Sequence, residues 1–195
     1  MKLYFLRHGQ SEANLRGIHG GWLDCDLTET GRAQAAHAAP LLQKISFEKI
    51  YSSDLPRALQ TAQLACPGAD IQQTPLLREI NVGAVMGMTP AACKEKWGEH
   101  YANARAMIDF TYFSGENSAQ VGQRMRAFLD EVARKHTGNV LAVSHNHAIN
   151  TVLNHLYGTQ EDEMAWMANC GISVFEYKNG KWMLLQWNIT GADPL

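Results

Sequence analysis

An arginine and a histidine stand side by side directly after the first apolar run of the chain. The run is Leu3–Leu6, and Arg7, His8 and Gly9 follow it. A neutral imidazole is a good nucleophile at pH 7, and a neighbouring guanidinium can neutralise the oxygens of an incoming phosphate. Two solvated polar residues at a strand end would give the same pattern. A catalytic role therefore depends on whether matching residues occur elsewhere in the chain. The chemistry that this pair suggests is phosphoryl transfer to His8.

Three more groups suited to phosphate chemistry follow other apolar segments. Arg57 comes directly after Pro56, which is well placed for the first turn of a helix, where backbone N–H groups and the helix dipole favour anions. A surface arginine on an amphipathic helix is the alternative. Glu79 lies between an apolar segment and a glycine turn and is a candidate general acid. His145 ends the near-continuous apolar run 139–145, a pattern typical of a strand buried on both faces of a parallel sheet.

Strand and helix patterns alternate along the chain, which predicts a parallel sheet with crossover helices. Strands are predicted at Leu3–Leu6, Lys49–Ser52 and Asn139–Ser144, and a closing hairpin at 171–177 and 181–189 with a primed turn at Asn179-Gly180. Ligands of such sheets bind at the carboxyl ends of the strands, where His8 and His145 would lie. The predicted helices are Thr28–Lys44, Pro56–Cys66, Ser118–His136 and His147–Tyr157. The core positions of the third helix are predicted to be Val121, Met125, Phe128, Leu129 and Val132.

These motifs, in this order and at these spacings, resemble those of the histidine phosphatase superfamily, which includes the cofactor-dependent phosphoglycerate mutases. The likeness covers residues 2 to about 187. It implies an α/β fold, a three-layer sandwich with a mostly parallel central sheet and helices on both faces. It also implies a small helical insert over the site at about 83–114. The length of 195 residues favours a single domain spanning 1–195.

The resemblance implies a role for each of the five residues. His8 matches the nucleophile that forms a phosphohistidine, and Glu79 matches the proton donor. The groups that hold the phosphoryl oxygens are matched by Arg7, Arg57 and His145. Because the transferring group carries its charge on three equatorial oxygens, fixed cations and donors around it suffice, and no metal or other cofactor is expected.

A second set of residues is predicted to contact the substrate. Ser11 and Asn14 resemble polar residues that extend the phosphate pocket in many members of the family. Trp22, with Gly21 beside it, lies on the loop after the nucleophile strand and is a candidate pocket wall. Asn146 replaces a glycine that usually follows the second histidine, and it could add a donor near the phosphate or narrow the entrance.

The predicted function is metal-independent hydrolysis of a small phosphomonoester through a phosphohistidine. The mutases cover their site with a C-terminal tail, whereas only a short segment follows the last predicted strand here. In addition, Ile80 stands where the mutases carry a substrate-binding arginine. The loop from Gly21 to Thr28, however, resembles the mutase version. A cofactor-dependent phosphoglycerate mutase is therefore the first alternative. A catalytically inactive protein that binds a phosphate ligand is the second.

Composition and charge argue against two classes of partner. Hydrophobic residues make up 46% of the chain, and the net charge is −2. The chain has no basic run, so neither nucleic acid nor an anionic membrane is expected as a partner. The expected partner is a small phosphorylated metabolite, and the oligomeric state stays open with a homodimer among the alternatives. A cytoplasmic location is expected, because no signal peptide is evident and the four cysteines show no CxxC pairing.

Competing chemistries find less support in the sequence. Neither a P-loop motif nor a GxGxxG motif occurs. A cysteine phosphatase needs an arginine six positions after its nucleophile, and none of the four cysteines has one. His145 and His147 are spaced like metal ligands, but no Asp, Glu or His cluster accompanies them, so no metal site is predicted.

Overall fold

One mixed sheet runs through the middle of the computed structural model, which describes residues 1–158 and 165–190. Within those residues the sheet has the strand order β3-β2-β4-β1-β5-β6. Strands β1 to β4 are parallel, whereas β5 is antiparallel to both of its neighbours, β1 and β6. This confirms the predicted, mostly parallel sheet. The strands are β1 (Lys2–Arg7), β2 (Phe47–Ser52), β3 (Ile71–Gln73), β4 (Asn139–Ser144), β5 (Ile172–Lys178) and β6 (Lys181–Ile189).

Helices cover both faces of the sheet and complete three layers. Along β1 the side chains alternate between the faces, as the pleat requires. Tyr4 and Leu6 pack on one face with α2 and α3, whereas Leu3 and Phe5 pack on the other with α6 and α7. The helices are α1 (Glu12–Arg16), α2 (Glu29–Leu42), α3 (Pro56–Ala65), α4 (Pro90–Trp97), α5 (Glu99–Ala106), α6 (Ser118–Lys135) and α7 (Asn146–Tyr157).

Each predicted helix is present, with ends that lie within two residues of the predicted ones. The five apolar positions predicted for the core face of α6 are all buried, at no more than 2% exposure. The turn between β5 and β6 has φ values of 52° at Asn179 and 77° at Gly180. Two consecutive positive φ values define the type I′ turn, so the primed turn is confirmed. Two short elements, α1 and β3, were not predicted.

The insert at 83–114 is helical, as expected, and consists of α4, α5 and two short 3₁₀ turns. The insert has an aromatic core of its own, in which the rings of Trp97 and Phe113 lie 5.1 Å apart. Tyr101 and Phe110 are also buried there. The two ends of the insert meet, since Glu116 N–H donates to the carbonyl of Asn81 over 2.7 Å. The insert therefore forms a closed unit over the carboxyl end of the sheet.

Gly83 is expected to be the position of the insert least tolerant of a side chain. Its φ is +56°, and an added Cβ would lie 1.8 Å from the carbonyl oxygen of Phe113. Because that atom belongs to the backbone, Gly83→Ala should lower the free energy of unfolding by more than about 3 kcal/mol. Gly87→Ala is the matched control, because Gly87 also has positive φ, at +78°, but has open space around it. It should cost only about 1–2 kcal/mol. Equal losses in urea unfolding would contradict the steric argument.

Candidate active site

Strand register brings the two predicted site histidines together. Strands β1 and β4 are parallel neighbours, with Arg7 paired to Ser144. The residue after each strand end is a histidine, and the backbone N–H of His8 donates to the carbonyl of Ser144 over 3.0 Å. The ring centroids of His8 and His145 are consequently 5.0 Å apart. Both rings lie at the carboxyl end of the sheet, where open α/β sheets bind their ligands.

His8 is held in the form that a nucleophile needs. Its ring is buried, and Nδ1 lies 2.7 Å from the carbonyl oxygen of Gly9. Because a carbonyl only accepts hydrogen bonds, Nδ1 carries the proton and Nε2 keeps its lone pair. Burial, together with the charges of Arg57 and Arg7, holds the pKa of His8 well below its ordinary value of 6.5. His8 is therefore neutral at pH 7, with Nε2 ready to attack.

Arg57 is buried in the first turn of α3 and oriented by the loop after α1. Its Nη2 donates to the carbonyl of Gly21 over 2.8 Å, and its Nη1 donates to the carbonyl of Leu23 over 3.0 Å. Arg7 is half-buried, and its Nη1 donates to the carbonyl of Met167. Within the described part of the chain, neither arginine pairs with a carboxylate. Two positive charges beside His8 are thus fixed in place but not neutralised.

His145 is aligned by a serine that follows β2. Its Nε2 lies 3.0 Å from Ser53 Oγ, which already accepts a hydrogen bond from the N–H of Leu55. The Ser53 hydroxyl can donate its own hydrogen to Nε2, and in that arrangement the ring proton of His145 is on Nδ1. Nδ1 is buried and has no other partner among the described residues. Burial and the charge of Arg57 hold the pKa of His145 well below 6.5. A neutral His145 can thus donate from Nδ1 to an anionic oxygen.

The carboxylate of Glu79 lies against the start of α7. Its Oε1 accepts from the N–H groups of Ile80 and Ala148 over 3.0 and 3.1 Å, and its Oε2 accepts from the N–H of His147 over 3.3 Å. These bonds fix the carboxyl group relative to the helix that begins after His145. They also leave a lone pair of Oε2 on which a transferable proton can reside.

Arg124 is a positioning residue that sequence reasoning missed. It extends from α6, and its Nη2 donates to the backbone carbonyl of Glu79 over 2.9 Å. The same side chain donates to the carbonyls of Leu76 and Arg78 and pairs with Glu116 at 3.0 Å. A signal was present in the sequence, because position 124 is three residues after Val121 and so falls on the buried face of the helix. A charge on that face indicates a buried polar partner.

The predicted substrate contacts on the first loop have structural partners of their own. Ser11 caps α1, and its side chain and that of Asn14 form a reciprocal capping box. Gly21 has φ of +44°, and an added Cβ would lie 2.7 Å from Val82. Trp22 donates from Nε1 to the backbone carbonyl of Glu79 over 2.7 Å. Direct contact of Ser11, Asn14, Gly21 or Trp22 with a substrate stays a prediction.

A cavity of about 310 Å³ opens beside Glu79. Asn146, another predicted contact, lines it together with groups of the first loop and of the insert. A larger cavity of about 530 Å³ lies between α2 and the β5–β6 hairpin, and none of the five predicted catalytic residues lines it. The smaller cavity is thus the one that includes Glu79. The other residues that line it are Ile18, His19, Gly20, Gly21, Ile80, Val82, Arg105, Ile108, Phe110, Asn146 and His147.

Within residues 1–158 and 165–190, no group of three or more His, Cys, Asp and Glu side chains is placed to hold a metal ion. None of the helices in these residues has the length and apolar character needed to cross a bilayer.

The histidine rings provide a direct test of the site's electrostatics. Because its pKa is lowered, His8 should stay neutral as the pH falls from 8 through 6.5, where an ordinary histidine is half protonated. Carbon-13 NMR of the ring, assigned with a His8→Asn variant, should therefore show no protonation shift between pH 8 and pH 6. A midpoint at or above pH 6.5 would contradict the arrangement described here.

Comparison with known proteins agrees with this geometry. Residues 3–190 match the family model described as "Histidine phosphatase superfamily (branch 1)". A protein of Yersinia pestis named "Probable phosphoglycerate mutase GpmB" is 30% identical over 203 aligned positions, covering 98% of this chain and 92% of the relative.

Solved structures of phosphatases are also similar. The α-ribazole phosphatase of Shigella flexneri superposes with a TM-score of 0.87 at 25% identity, covering 97% of this chain and 96% of that one. A mycobacterial glucosyl-3-phosphoglycerate phosphatase, solved with VO3, superposes with a TM-score of 0.84 at 29% identity, covering 97% and 99%. Because the family model matches nearly the whole chain, this protein belongs to the histidine phosphatase superfamily.

Proposed function

We propose that this protein is a phosphatase that hydrolyses a small phosphomonoester through a phosphohistidine at His8 and requires no metal ion. The observation that carries the proposal is the hydrogen bond from Nδ1 of the buried His8 to the carbonyl of Gly9. It leaves Nε2 unprotonated beside Arg7 and Arg57, which pair with no carboxylate in the described part of the chain. Such a site attracts a phosphate dianion and presents a nucleophile to it.

The first half of the reaction forms the phosphoenzyme. The Nε2 lone pair of His8 attacks phosphorus, and the bond between phosphorus and the ester oxygen breaks. Glu79 gives its proton to that oxygen, so the product leaves as a neutral alcohol. Arg7, Arg57 and Nδ1–H of His145 supply the positive charge and the donor around the three equatorial oxygens.

The second half of the reaction restores the free enzyme. Glu79, now a carboxylate, takes a proton from a water molecule as the water oxygen attacks phosphorus. The bond between phosphorus and Nε2 of His8 breaks, and inorganic phosphate leaves. The backbone bonds of Glu79 to α7 favour this exchange of roles, because they hold the carboxyl group in one position in both halves.

The mutase alternative keeps one specific observation in its favour. The Yersinia pestis relative at 30% identity is named as a probable phosphoglycerate mutase. A mutase would share the first half of the reaction and then return the phosphoryl group to an alcohol instead of water. The two similar structures named above, both phosphatases, favour the transfer to water.

Phosphate release from a panel of small phosphomonoesters in the presence of EDTA tests the proposal. We expect release from one or more esters at a rate that EDTA does not change. A second assay follows conversion of 3-phosphoglycerate to 2-phosphoglycerate with 2,3-bisphosphoglycerate as primer, and no conversion is expected. Primed conversion without phosphate release would establish a mutase. No reaction in either assay, even with p-nitrophenyl phosphate, would indicate a protein that only binds a phosphate ligand.

A further inference from the structure

The cavity beside Glu79 is placed to hold the alcohol part of the substrate. Glu79 must lie next to the ester oxygen if it protonates the leaving group. The cavity shares Glu79 as a lining residue but is not lined by Arg7, Arg57 or His8, which surround the phosphoryl group. The remainder of the substrate, attached to the ester oxygen, therefore extends into this cavity. Its volume of about 310 Å³ is at the small end of the range for ligand sites and suits a small alcohol.

Arg105 gives this cavity a positive charge. It belongs to α5 of the insert and forms no ion pair with a carboxylate in the described part of the chain. The neighbouring His19 adds no charge, because burial and the positive charge of Arg105 lower its pKa, and its Nε2 is hydrogen-bonded to Tyr101 at 2.6 Å. Apolar side chains line much of the remaining wall, so Arg105, an exposed residue, is the cationic group of this lining. These side chains are Ile18, Ile80, Val82, Ile108 and Phe110.

Asn146 adds a polar side chain to the lining of the same cavity. Its Oδ1 is buried and has no hydrogen-bond donor among residues 1–158 and 165–190. A buried amide oxygen without a donor is destabilising, so a ligand that supplies the donor gains affinity. The backbone of Asn146 is fixed as the first residue of α7, where its carbonyl accepts from the side chain of Asn150 over 2.9 Å.

We propose that this cavity selects phosphomonoesters whose alcohol part carries a second anionic group, held by Arg105, and a hydrogen-bond donor, held by Asn146. The inference rests on the proposed function, since it assigns the substrate class of the same site. A planar guanidinium binds carboxylate and phosphate groups alike. Small phosphorylated hydroxy acids fit this description, and so do small bisphosphates that carry a free hydroxyl.

Substrate pairs that differ in one group test the role of Arg105. 3-Phosphoglycerate and glycerol 3-phosphate share a carbon skeleton, and a carboxylate in the first replaces a hydroxymethyl group in the second. The wild type should have a higher kcat/KM for 3-phosphoglycerate than for glycerol 3-phosphate. Arg105→Met should lower the ratio of the first kcat/KM to the second at least about tenfold. Glycerol 1,3-bisphosphate shows whether a phosphate can replace the carboxylate. Arg126→Met, which removes an exposed arginine from α6, should leave the ratio unchanged. A ratio that Arg105→Met does not change, or a wild type that prefers glycerol 3-phosphate, would overturn the assignment.

A second pair tests Asn146. The phosphate ester of 3-hydroxypropionate lacks only the 2-hydroxyl of 3-phosphoglycerate, so the wild type should prefer the hydroxylated ester. Asn146→Ala should reduce that preference about fivefold or more. If the preference is absent in the wild type or is the same in Asn146→Ala, then Asn146 does not bind a donor of the substrate.

Binding measurements separate failure of this inference from failure of the proposed function. Calorimetry with 3-phosphoglycerate and a His8→Asn protein needs no turnover. Adding Arg105→Met to that protein should weaken binding about tenfold. Equal affinities would overturn the subsite even if the enzyme is an active phosphatase. A tenfold loss would support the subsite even if no ester is hydrolysed.

Discussion

His8→Ala should reduce the turnover of every phosphomonoester by about 10⁴-fold or more. The change removes Nε2, the atom that we assign to the attack on phosphorus, and none of the other imidazoles can replace it. His145 is the nearest candidate, with its ring centroid 5.0 Å away, but its Nε2 is hydrogen-bonded to Ser53. The measurement is steady-state phosphate release from the best ester of the panel.

The control for this variant is His37→Ala, which removes an exposed histidine from α2. Its turnover should equal that of the wild type. Circular dichroism and urea unfolding should show that His8→Ala stays folded, since alanine in a buried imidazole site leaves a cavity but no unpaired charge. Hydrolysis by folded His8→Ala within about tenfold of the wild type would contradict a mechanism that needs this nucleophile.

Glu79→Gln should slow the hydrolysis of alkyl phosphates about 10²–10⁴-fold, because an alkoxide leaves poorly without a proton. Loss of p-nitrophenyl phosphate turnover should be much smaller, since p-nitrophenolate barely needs protonation. The quantity to compare is the ratio of the two kcat values in the variant and in the wild type. A change in this ratio reports on proton donation to the leaving group and not on a general distortion of the site.

Glu99→Gln is the matched control for that substitution, because Glu99 is an exposed carboxylate on α5. Its ratio should equal that of the wild type. Equal losses on both esters in Glu79→Gln would remove Glu79 from the role of acid. They would instead indicate that its bonds to the N–H groups of His147 and Ala148 serve only to hold α7 in place.

The sequence was sufficient to place His8 and His145 at one end of the sheet because each directly follows an apolar strand. Parallel strands share their carboxyl end, so the position along the strand decides where the side chain lies. Arg57 could be assigned similarly, since Pro56 marks the start of its helix. The core face of α6 followed from helical spacing, which depends on local geometry alone.

Other parts of the site depend on contacts between segments that are far apart in the chain. Ser53 meets His145, and Arg124 meets the carbonyl of Glu79, at separations of 92 and 45 residues. Ser53 gives no sign of such a partner in the sequence. The charge of Arg124 on the buried face of α6 indicates that a polar partner exists but not which one. The short elements α1 and β3 were missed for a related reason. Periodicity cannot be detected in so few residues, and α1 depends on the reciprocal cap between Ser11 and Asn14.

The most direct test of the covalent mechanism is to trap the phosphoenzyme. The wild-type protein would be mixed with its best ester, quenched within one turnover and digested, and the phosphorylated peptide identified by mass spectrometry. The account predicts an acid-labile phosphoryl group on His8 that forms at least as fast as turnover and is absent in His8→Ala. Steady turnover with no phosphorylated His8, or with the phosphoryl group on a different residue, would contradict it.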